Sequence, residues 1–264
     1  MAERRTTSTA LTQRDRERRT RTQGRAARWD AGPVLTVRDV LALRWLGEQY
    51  AATSDTLAVL LGRLSPAVTR EPGRVGYETV RHHLDRWVRA GLVARSRRLG
   101  RTWVTPTRRG LDLVELGYPT WALPATQLAH VHAVGLVRLV REPDPCGGGW
   151  VSERALFRER GQASWHLADG ALPAPVPAGW VAQGIADAFE RIEVELTPKP
   201  RRRLAAALRT QAPRTAAVTY YAPPAHLDRL ASELAGLRRE LRCLFVLDVR
   251  PLPLVPGATY GGAS

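Results

Sequence analysis

The sequence predicts a mixed α and β fold in two successive parts, and three observations lead to this prediction. Apolar residues recur with a helical period in the first third of the chain, for example at Val80, Leu84 and Trp87. Two short strand-like runs around a Leu99-Gly100 turn follow this helical region. Further along the chain, helical and strand-like segments alternate, which is typical of an α/β domain with a mixed sheet.

Two terminal segments are predicted to lie outside both parts. Residues 1–33 contain many arginines and few large apolar side chains, so we expect a disordered basic arm. Residues 255–264 are predicted to form a flexible tail. The 44% of hydrophobic residues in the whole chain is enough for the parts between them to bury real cores.

Residues 34–117 are predicted to begin with three helices. The first carries an apolar stripe that ends near Tyr50, and the second begins at an N-cap formed by Thr53 or Ser54. The third buries the stripe that contains Val80, Leu84, Trp87 and Val88, and it ends at Gly91, a residue that suits the left-handed position after a helix.

A β-hairpin and a closing helix complete this part. The runs Leu92–Arg98 and Arg101–Thr105 are predicted to be the two strands, and Pro106 and Thr107 introduce the closing helix. Three helices followed by a hairpin and a helix predict a winged helix-turn-helix domain. The GLV-A-R exit from the third helix and the following T-R-R-G resemble bacterial winged-helix regulators. A helical bundle with an accessory hairpin is the alternative interpretation.

The charge of the chain predicts a polyanionic partner, and we expect double-stranded DNA. The formal net charge is +15 and the pI is about 11.2, and nucleic acid is the commonest polyanion that such a protein meets. On the third helix, the side chains predicted to face the major groove are Thr79, His82, Arg86 and Arg89. Among them, Arg86 is the best candidate for reading guanine and Thr79 for a base edge or a phosphate.

The hairpin supplies the remaining candidates for DNA contacts. These arginines suit phosphates or a minor groove: Arg95, Arg97, Arg98 and Arg101. His82 and His83 are neighbours on different faces of the third helix, and we interpret both as solvated or DNA-facing instead of as a metal-binding pair.

Residues 118–124 are predicted to be a linker, and residues 125–254 an α/β domain. A helix from Ala125 is apolar on almost all sides and is therefore expected to be buried. His130 and His132 lie two positions apart on this helix, a spacing that cannot easily close on one metal ion. Strands and helices then alternate to the end of the domain, which predicts a mixed sheet.

Three acids and one lysine form the candidate reaction centre of this second domain. Asp169 is predicted to lie at the end of one strand, and Glu193 and Glu195 share a face of the next because the side-chain period of a strand is two. Lys199, the only lysine in the chain, follows that strand. Three converging carboxylates repel one another, and a hard cation such as Mg²⁺ makes such a cluster tolerable. A solvated strand edge neutralised by neighbouring arginines is the alternative.

These acids also carry a resemblance to known proteins. An Asp followed on the next strand by E-x-E resembles the PD-(D/E)xK nuclease superfamily, which has a restriction-endonuclease-like mixed sheet. A predicted winged helix followed by W-V-S-E-R, A-D-G-A-L and I-E-V-E-L-T is similar to the actinobacterial replication-relaxation family of plasmids and other mobile elements. The resemblance implies that Asp169, Glu193 and Glu195 bind Mg²⁺ and that these acids and Lys199 are catalytic.

Two departures from that pattern concern the catalytic role. Ala168 stands where proline is usual, and Glu195 stands where lysine is most frequent. Lys199 would therefore have to reach in from beyond the strand, or a third carboxylate would have to replace the lysine. A nuclease-like domain that has kept the shape and lost the reaction is the other interpretation.

The expected function is that of a DNA-binding protein of a plasmid or integrated mobile element, acting in replication, relaxation, transfer or their regulation. One alternative is a winged-helix transcriptional regulator whose C-terminal domain binds a partner without catalysis. The other is a metal-dependent, site-directed DNA nuclease. We expect a cytoplasmic protein without membrane association, because the sequence lacks a long apolar run and a signal-peptide pattern. A homodimer is left open.

Overall fold

The structure, a computed structural model, has the mixed α and β fold that the sequence predicts. It describes residues 34–65, 73–122, 124–142, 144–145, 149–160, 167–210 and 214–254. The predicted arm at residues 1–33 and the predicted tail at residues 255–264 lie outside these ranges. Within them, no helix combines the length and the apolar character needed to cross a bilayer.

The first part of the described chain, called here the helix–hairpin part, contains four helices and a small sheet. Its elements are α1 (Val37–Glu48), β1 (Ala52–Thr53), α2 (Ser54–Arg63), α3 (Tyr77–Arg89), β2 (Val93–Arg98), β3 (Arg101–Pro106) and α4 (Arg108–Leu113). The sheet order is β1-β3-β2, and both pairings are antiparallel. Threonines cap three of the helices, because the hydroxyl groups of Thr36, Thr53 and Thr107 accept a backbone N–H from the first turn of α1, α2 and α4.

Backbone conformation fixes the hairpin at its turn and at its entrance. Leu99 and Gly100 both have positive φ, 49° and 71°, as a two-residue turn between twisted strands requires. Gly91 ends α3 with a φ of 67°, which confirms the predicted helix stop. Gly110 in α4 lies against β2, where a Cβ atom would lie 2.0 Å from the carbonyl oxygen of Leu92.

The second part, called here the sheet part, is built around a five-stranded mixed sheet. Its elements are a 3₁₀ turn (Ala125–Gln127), α5 (Leu128–Arg141), β4 (Val151–Ser152), α6 (Glu153–Arg160), β5 (Gly170–Ala174), α7 (Ala178–Val181), β6 (Ala188–Val194), α8 (Arg201–Arg209), β7 (Thr215–Ala222), a second 3₁₀ turn (Pro224–His226), α9 (Leu227–Leu241) and β8 (Val246–Pro251). The strand order is β4-β5-β6-β7-β8. The first two pairings are antiparallel and the last two are parallel.

Helices cover both faces of this sheet, so successive side chains along a strand point alternately into two cores. On one face, α8 and α9 pack against Val218 and Tyr220 of β7. On the other face, α5 packs against Ile192 and Val194 of β6 and against Tyr221. Both layers stabilise the sheet, because removing apolar surface from water contributes about 25 cal/mol per Å².

Helix α5 joins the two parts, because it contributes to the cores of both. Leu128 and Val131 pack with Trp103 of β3, while Val134 and Val137 pack against the sheet. This double role explains why α5 is apolar on almost all sides, and it confirms the predicted burial. From Thr36 onward the chain forms one contact unit.

Two buried arginines reinforce the connection between the parts. Arg138 of α5 forms ion pairs with Glu48 at 2.7 Å and with Glu142 at 2.8 Å. Arg154 of α6 donates to the carbonyl oxygen of Gly47 at 2.8 Å and also contacts that of Pro119. Because each guanidinium comes from the sheet part and bonds to a group of α1, separating the parts would remove partners from two buried charges.

Candidate nucleic-acid interface and acidic cluster

The buried face of α3 differs from the predicted one by one residue. Val80, Leu84 and Trp87 are buried as expected, but Val88 is 37% exposed and His83 is buried in its place. The interpretation of His83 as solvated or DNA-facing was therefore wrong, whereas His82 is exposed. Because His83 is buried where Val88 was expected to be, the outward face of the helix is rotated by a fraction of a turn from the predicted one.

A buried carboxylate explains why a histidine takes the core position. Asp39 of α1 is completely buried, and its Oδ1 atom lies 2.8 Å from Nδ1 of His83 and accepts the indole N–H of Trp87 at 2.9 Å. Its Oδ2 atom accepts the backbone N–H and the hydroxyl of Thr36, at 2.8 and 2.7 Å. The same carboxylate therefore caps α1 and fixes α3 against it.

This network also takes the residue that the sequence favoured as the base reader. Arg86 turns its guanidinium toward the core, where Nη2 contacts the Asp39 carboxylate, and its side chain is only 22% exposed. Thr79, seven positions before Arg86, lies on the same flank of α3 and is also partly buried. Thr79 and Arg86, which were predicted to face the major groove, therefore lie beside the core instead of opposite to it, because the core stripe passes through His83 and not through Val88.

The outward face of α3 contains other charged groups. Its exposed or half-exposed polar residues are Glu78, Arg81, His82, Asp85 and Arg89. Arg81 lies 2.6 Å from Glu78 in an exposed i,i+3 pair, and Nε of Arg89 donates to the carbonyl oxygen of Asp85. Glu78 and Arg81 were missed by the sequence reasoning, although an i,i+3 pair beginning in the first turn is a signal of a solvated helix face.

The β2–β3 hairpin brings its arginines to the surface. Only Val93 of the six residues of β2 is buried, and Arg95, Arg97 and Arg98 are all exposed. Arg95 lies 3.0 Å from Asp85, so the hairpin is joined to the outward face of α3. Arg101 is different, because its side chain is 17% exposed and lies 3.7 Å from Asp55 of α2.

In the sheet part, the structure brings Asp169 beside β6, which carries Glu193 and is directly followed by Glu195. Asp169 directly precedes β5, and the next residue, Gly170, pairs with Ile192 of β6. The Oδ2 atom of Asp169 accepts the backbone N–H of Val194 at 2.7 Å, and its Oδ1 atom lies 2.8 Å from Nε2 of His130. His130 comes from α5 and was not among the predicted site residues.

The two glutamates and the lysine lie close to this point. Glu193 and Glu195 are buried, at 3% and 5% exposure, and the Lys199 ammonium lies 2.7 Å from Oε2 of Glu195. Tyr220, which pairs with Glu193 across β6 and β7, is buried beside them. We call Asp169, Glu193, Glu195 and Lys199 the acidic cluster. Its members are neighbours, and the solvated strand edge considered above does not describe two buried glutamates.

Burial and mutual repulsion control the ionisation of the cluster. Burial raises the pKa of Glu195, although Lys199 opposes this shift. Burial alone would lower the pKa of Lys199, but Glu195, Glu193 and Asp169 together raise it. Burial and then the three carboxylates raise the pKa of Tyr220 well above its usual value. The lysine therefore stays charged and partly neutralises the acids around it.

The predicted magnesium site does not fit this arrangement. Both oxygens of Asp169 accept hydrogen bonds, and Glu195 faces Lys199. Across the described ranges, no group of three or more His, Cys, Asp or Glu side chains is arranged to hold a metal ion. Lys199 supplies a positive charge to the acids, and His130 supplies a hydrogen bond to Asp169. Magnesium binding itself stays a prediction.

Another acid lies close to the cluster and was not identified from the sequence. Glu153, the first residue of α6, shares a hydrogen bond with the hydroxyl of Tyr50, and burial and then Asp169 raise its pKa. The pKa of His130 is also raised, because Asp169 outweighs the effect of burial. Their sequence separation from Asp169 exceeds ten residues in both cases, so only the tertiary fold brings them together.

Comparisons of the chain with protein-family models, curated proteins and solved structures gave no significant match.

Proposed function

We propose that this protein binds double-stranded DNA through its helix–hairpin part. In this proposal α3 enters the major groove and the β2–β3 hairpin contacts the phosphate backbone. The order of the helices and of the hairpin is that expected of a winged helix-turn-helix. The net charge of +15 supplies a long-range attraction to the polyanion.

The observation that carries the proposal is the exposure of the hairpin arginines. Strand β3 buries Trp103 and Val104, but its partner β2 buries only Val93 and exposes both of its faces beyond that residue. Arg95, Arg97 and Arg98 therefore contribute nothing to a core. A projecting hairpin with arginines on both faces suits a groove edge lined by phosphates.

The outward face of α3 supplies the groups that read bases. His82 and Arg89 point away from the core, and Arg89 replaces Arg86 as the candidate for a guanine edge. Glu78 and Asp85 are acceptors for the amino group of cytosine, and their partners Arg81 and Arg95 limit the repulsion from phosphates. Arg86 acts in this proposal as a positioning residue that fixes α3 to α1.

We further propose that the sheet part is a nuclease-like scaffold without cleavage activity. Its acids are compensated by Lys199 and His130, and α5 holds it against the helix–hairpin part. The rival function, a metal-dependent nuclease, is favoured by one observation, the position of Asp169 beside β6. Incubation of bound duplex with Mn²⁺ distinguishes the two, since strand scission that Asp169→Asn abolishes would support the nuclease.

The resemblance to the replication-relaxation family leads us to place this DNA binding in the replication, relaxation or transfer of a mobile element. A promoter-bound regulator is the alternative. The two differ in where the preferred sequence occurs, since an origin or transfer region supports the first role and a promoter supports the second.

Selection of bound duplexes from a random pool tests the proposal. We expect a preferred sequence, and Arg89→Ala should weaken its advantage over other sequences by about 1–3 kcal/mol at one base position. Arg239→Ala, which removes an exposed arginine from α9, is the matched control and should leave the preference unchanged. Recovery of no enriched sequence, or equal effects of the two variants, would count against reading by α3.

A further inference from the structure

A cavity of about 250 Å³ lies where the helix–hairpin part meets the sheet part. One wall is formed by Gln49 and Tyr50, which follow α1, and by Trp121 from the segment before α5. Helices α5 and α6 form the other, with His130 and Glu153. The cavity is on the small side for drug-sized ligands and suits a molecule of the size of an amino acid or a nucleobase.

Aromatic groups give this cavity a surface suited to a flat cation. The rings of Tyr50 and Trp121 pack with their centroids 4.6 Å apart, and both residues line the cavity. The guanidinium of Arg154, from α6, already lies 4.7 Å from the centre of the Tyr50 ring, so this ring holds one planar cation within the protein itself. Trp121, which is only half-buried, provides the indole ring, the best of the aromatic partners for a cation.

The charges of the lining leave one carboxylate without a cation. Glu48 lies 2.7 Å from Arg138, and Asp169 lies 2.8 Å from His130. Within the part of the chain that the structure describes, Glu153 forms no ion pair and only shares a hydrogen bond with Tyr50. Glu153 is therefore the carboxylate of this lining that is open to pair with a bound cation, in a protein whose overall charge is strongly positive.

A second acceptor is independent of the acids. Gln49 is only 4% exposed, and its side-chain oxygen has no hydrogen-bond partner among the described residues. A buried acceptor without a partner costs about 1–3 kcal/mol, so such groups usually face a water molecule or a ligand. Because Gln49 lines the same cavity as Glu153, a ligand there would be recognised by its N–H donors.

We propose that this cavity binds a small, planar organic monocation, such as an amidinium, a guanidinium or a protonated nitrogen heterocycle. The cation pairs with Glu153, stacks on Trp121 and donates a hydrogen bond to the Gln49 side-chain oxygen. A phosphate or carboxylate ligand is disfavoured by the same acceptors.

Three probes of the same shape and different charge test this site on the full-length protein. Benzamidine is a cation, benzamide is neutral and benzoate is an anion. In titrations followed by calorimetry and by tryptophan fluorescence, we expect saturable binding of benzamidine, weaker binding of benzamide and none of benzoate. Glu153→Gln should weaken benzamidine roughly tenfold or more, the effect of one charge-assisted hydrogen bond.

Two further variants keep the test decisive. Trp121→Leu should also weaken benzamidine, whereas Glu159→Gln, which changes an exposed acid on the same helix, should not. Circular dichroism and the melting temperature of each variant show whether it is folded. The proposal is overturned by equal binding of benzamidine and benzoate, by an equal effect of Glu153→Gln and Glu159→Gln, or by saturable binding of Mn²⁺ with none of benzamidine.

Discussion

Replacement of Asp39 by asparagine should destabilise the protein far more than any surface substitution of the same kind. The change removes one negative charge and turns an oxygen acceptor into an N–H donor, with almost no change in volume. In either orientation of the new amide, a donor faces another donor, either the backbone N–H of Thr36 or the group formed by His83 and Trp87.

The structure sets the size of this effect. Asp39 is completely buried, and its loss would leave Arg86 without its anion and α1 without its capping box. Breaking a buried charge pair costs about 3–5 kcal/mol, and the amide keeps part of the hydrogen bonding, so we expect a loss of about 3 kcal/mol. At roughly 2–4 °C per kcal/mol for a unit of this size, the melting temperature should fall by roughly 6–12 °C.

The effect should also depend on pH. Burial alone would raise the pKa of Asp39, but hydrogen bonds from His83, Thr36 and Trp87 lower it well below the usual range. A lowered pKa means that the carboxylate stabilises the fold fully above the unfolded value of about 3.9 and loses this contribution as the pH falls below it. The difference between wild type and Asp39→Asn should therefore be largest near neutral pH and should shrink in acid.

Urea denaturation at several pH values measures both features. Asp112→Asn is the matched control, because Asp112 lies 2.9 Å from Arg108 in a pair whose side chains are more than half exposed. Such a surface pair contributes about 0–1 kcal/mol. If Asp39→Asn and Asp112→Asn lose the same stability, the buried network does not hold α3 as described.

Three further predictions concern other parts of the fold. Gly110→Ala should lose about 1–3 kcal/mol in urea denaturation, because its Cβ would strike the Leu92 carbonyl oxygen, while Gly179→Ala, with open space around it, should be nearly neutral; equal effects would contradict this. Lys199→Gln should cost about 1–2 kcal/mol by isolating the buried Glu195, and adding Glu195→Gln should recover part of the loss; strictly additive effects would be the contrary result. Because the pKa of Glu153 is raised, its ionisation lowers the stability of the fold as the pH rises above about 4.5. The melting temperature of Glu153→Gln should therefore increase relative to that of wild type between pH 4.5 and 7. A constant difference between the two melting temperatures over this range would contradict the prediction.

The regular elements of this protein could be predicted from the sequence because their signals are local. The Leu99-Gly100 turn between two short strand-like runs predicts the hairpin, and the caps at Thr53 and Thr107 predict the helices that follow them. The first hairpin strand was predicted to begin at Leu92 and begins at Val93, a shift of the size that element boundaries usually show.

The parts that the sequence did not predict depend on contacts between distant residues. The orientation of α3 is decided by Asp39, which lies 44 positions before His83, and a helical-period analysis of α3 alone cannot include it. The same holds for the acidic cluster, where His130 approaches Asp169 only because α5 packs across the sheet. A charge pattern predicts which residues are polar, but it does not predict which of them become partners in the folded protein.

The salt dependence of DNA binding by a hairpin variant tests the central claim most directly. Arg97→Gln with Arg98→Gln is compared with Arg202→Gln with Arg203→Gln, an adjacent exposed pair on α8 that changes the net charge equally. Each lost phosphate contact removes about 0.9 from the slope of log affinity against log salt, so we expect the hairpin variant to lose roughly 1.8 and the α8 variant to keep the wild-type slope. Equal slopes for the two variants would contradict binding through the hairpin and would leave only a general attraction between a basic protein and DNA.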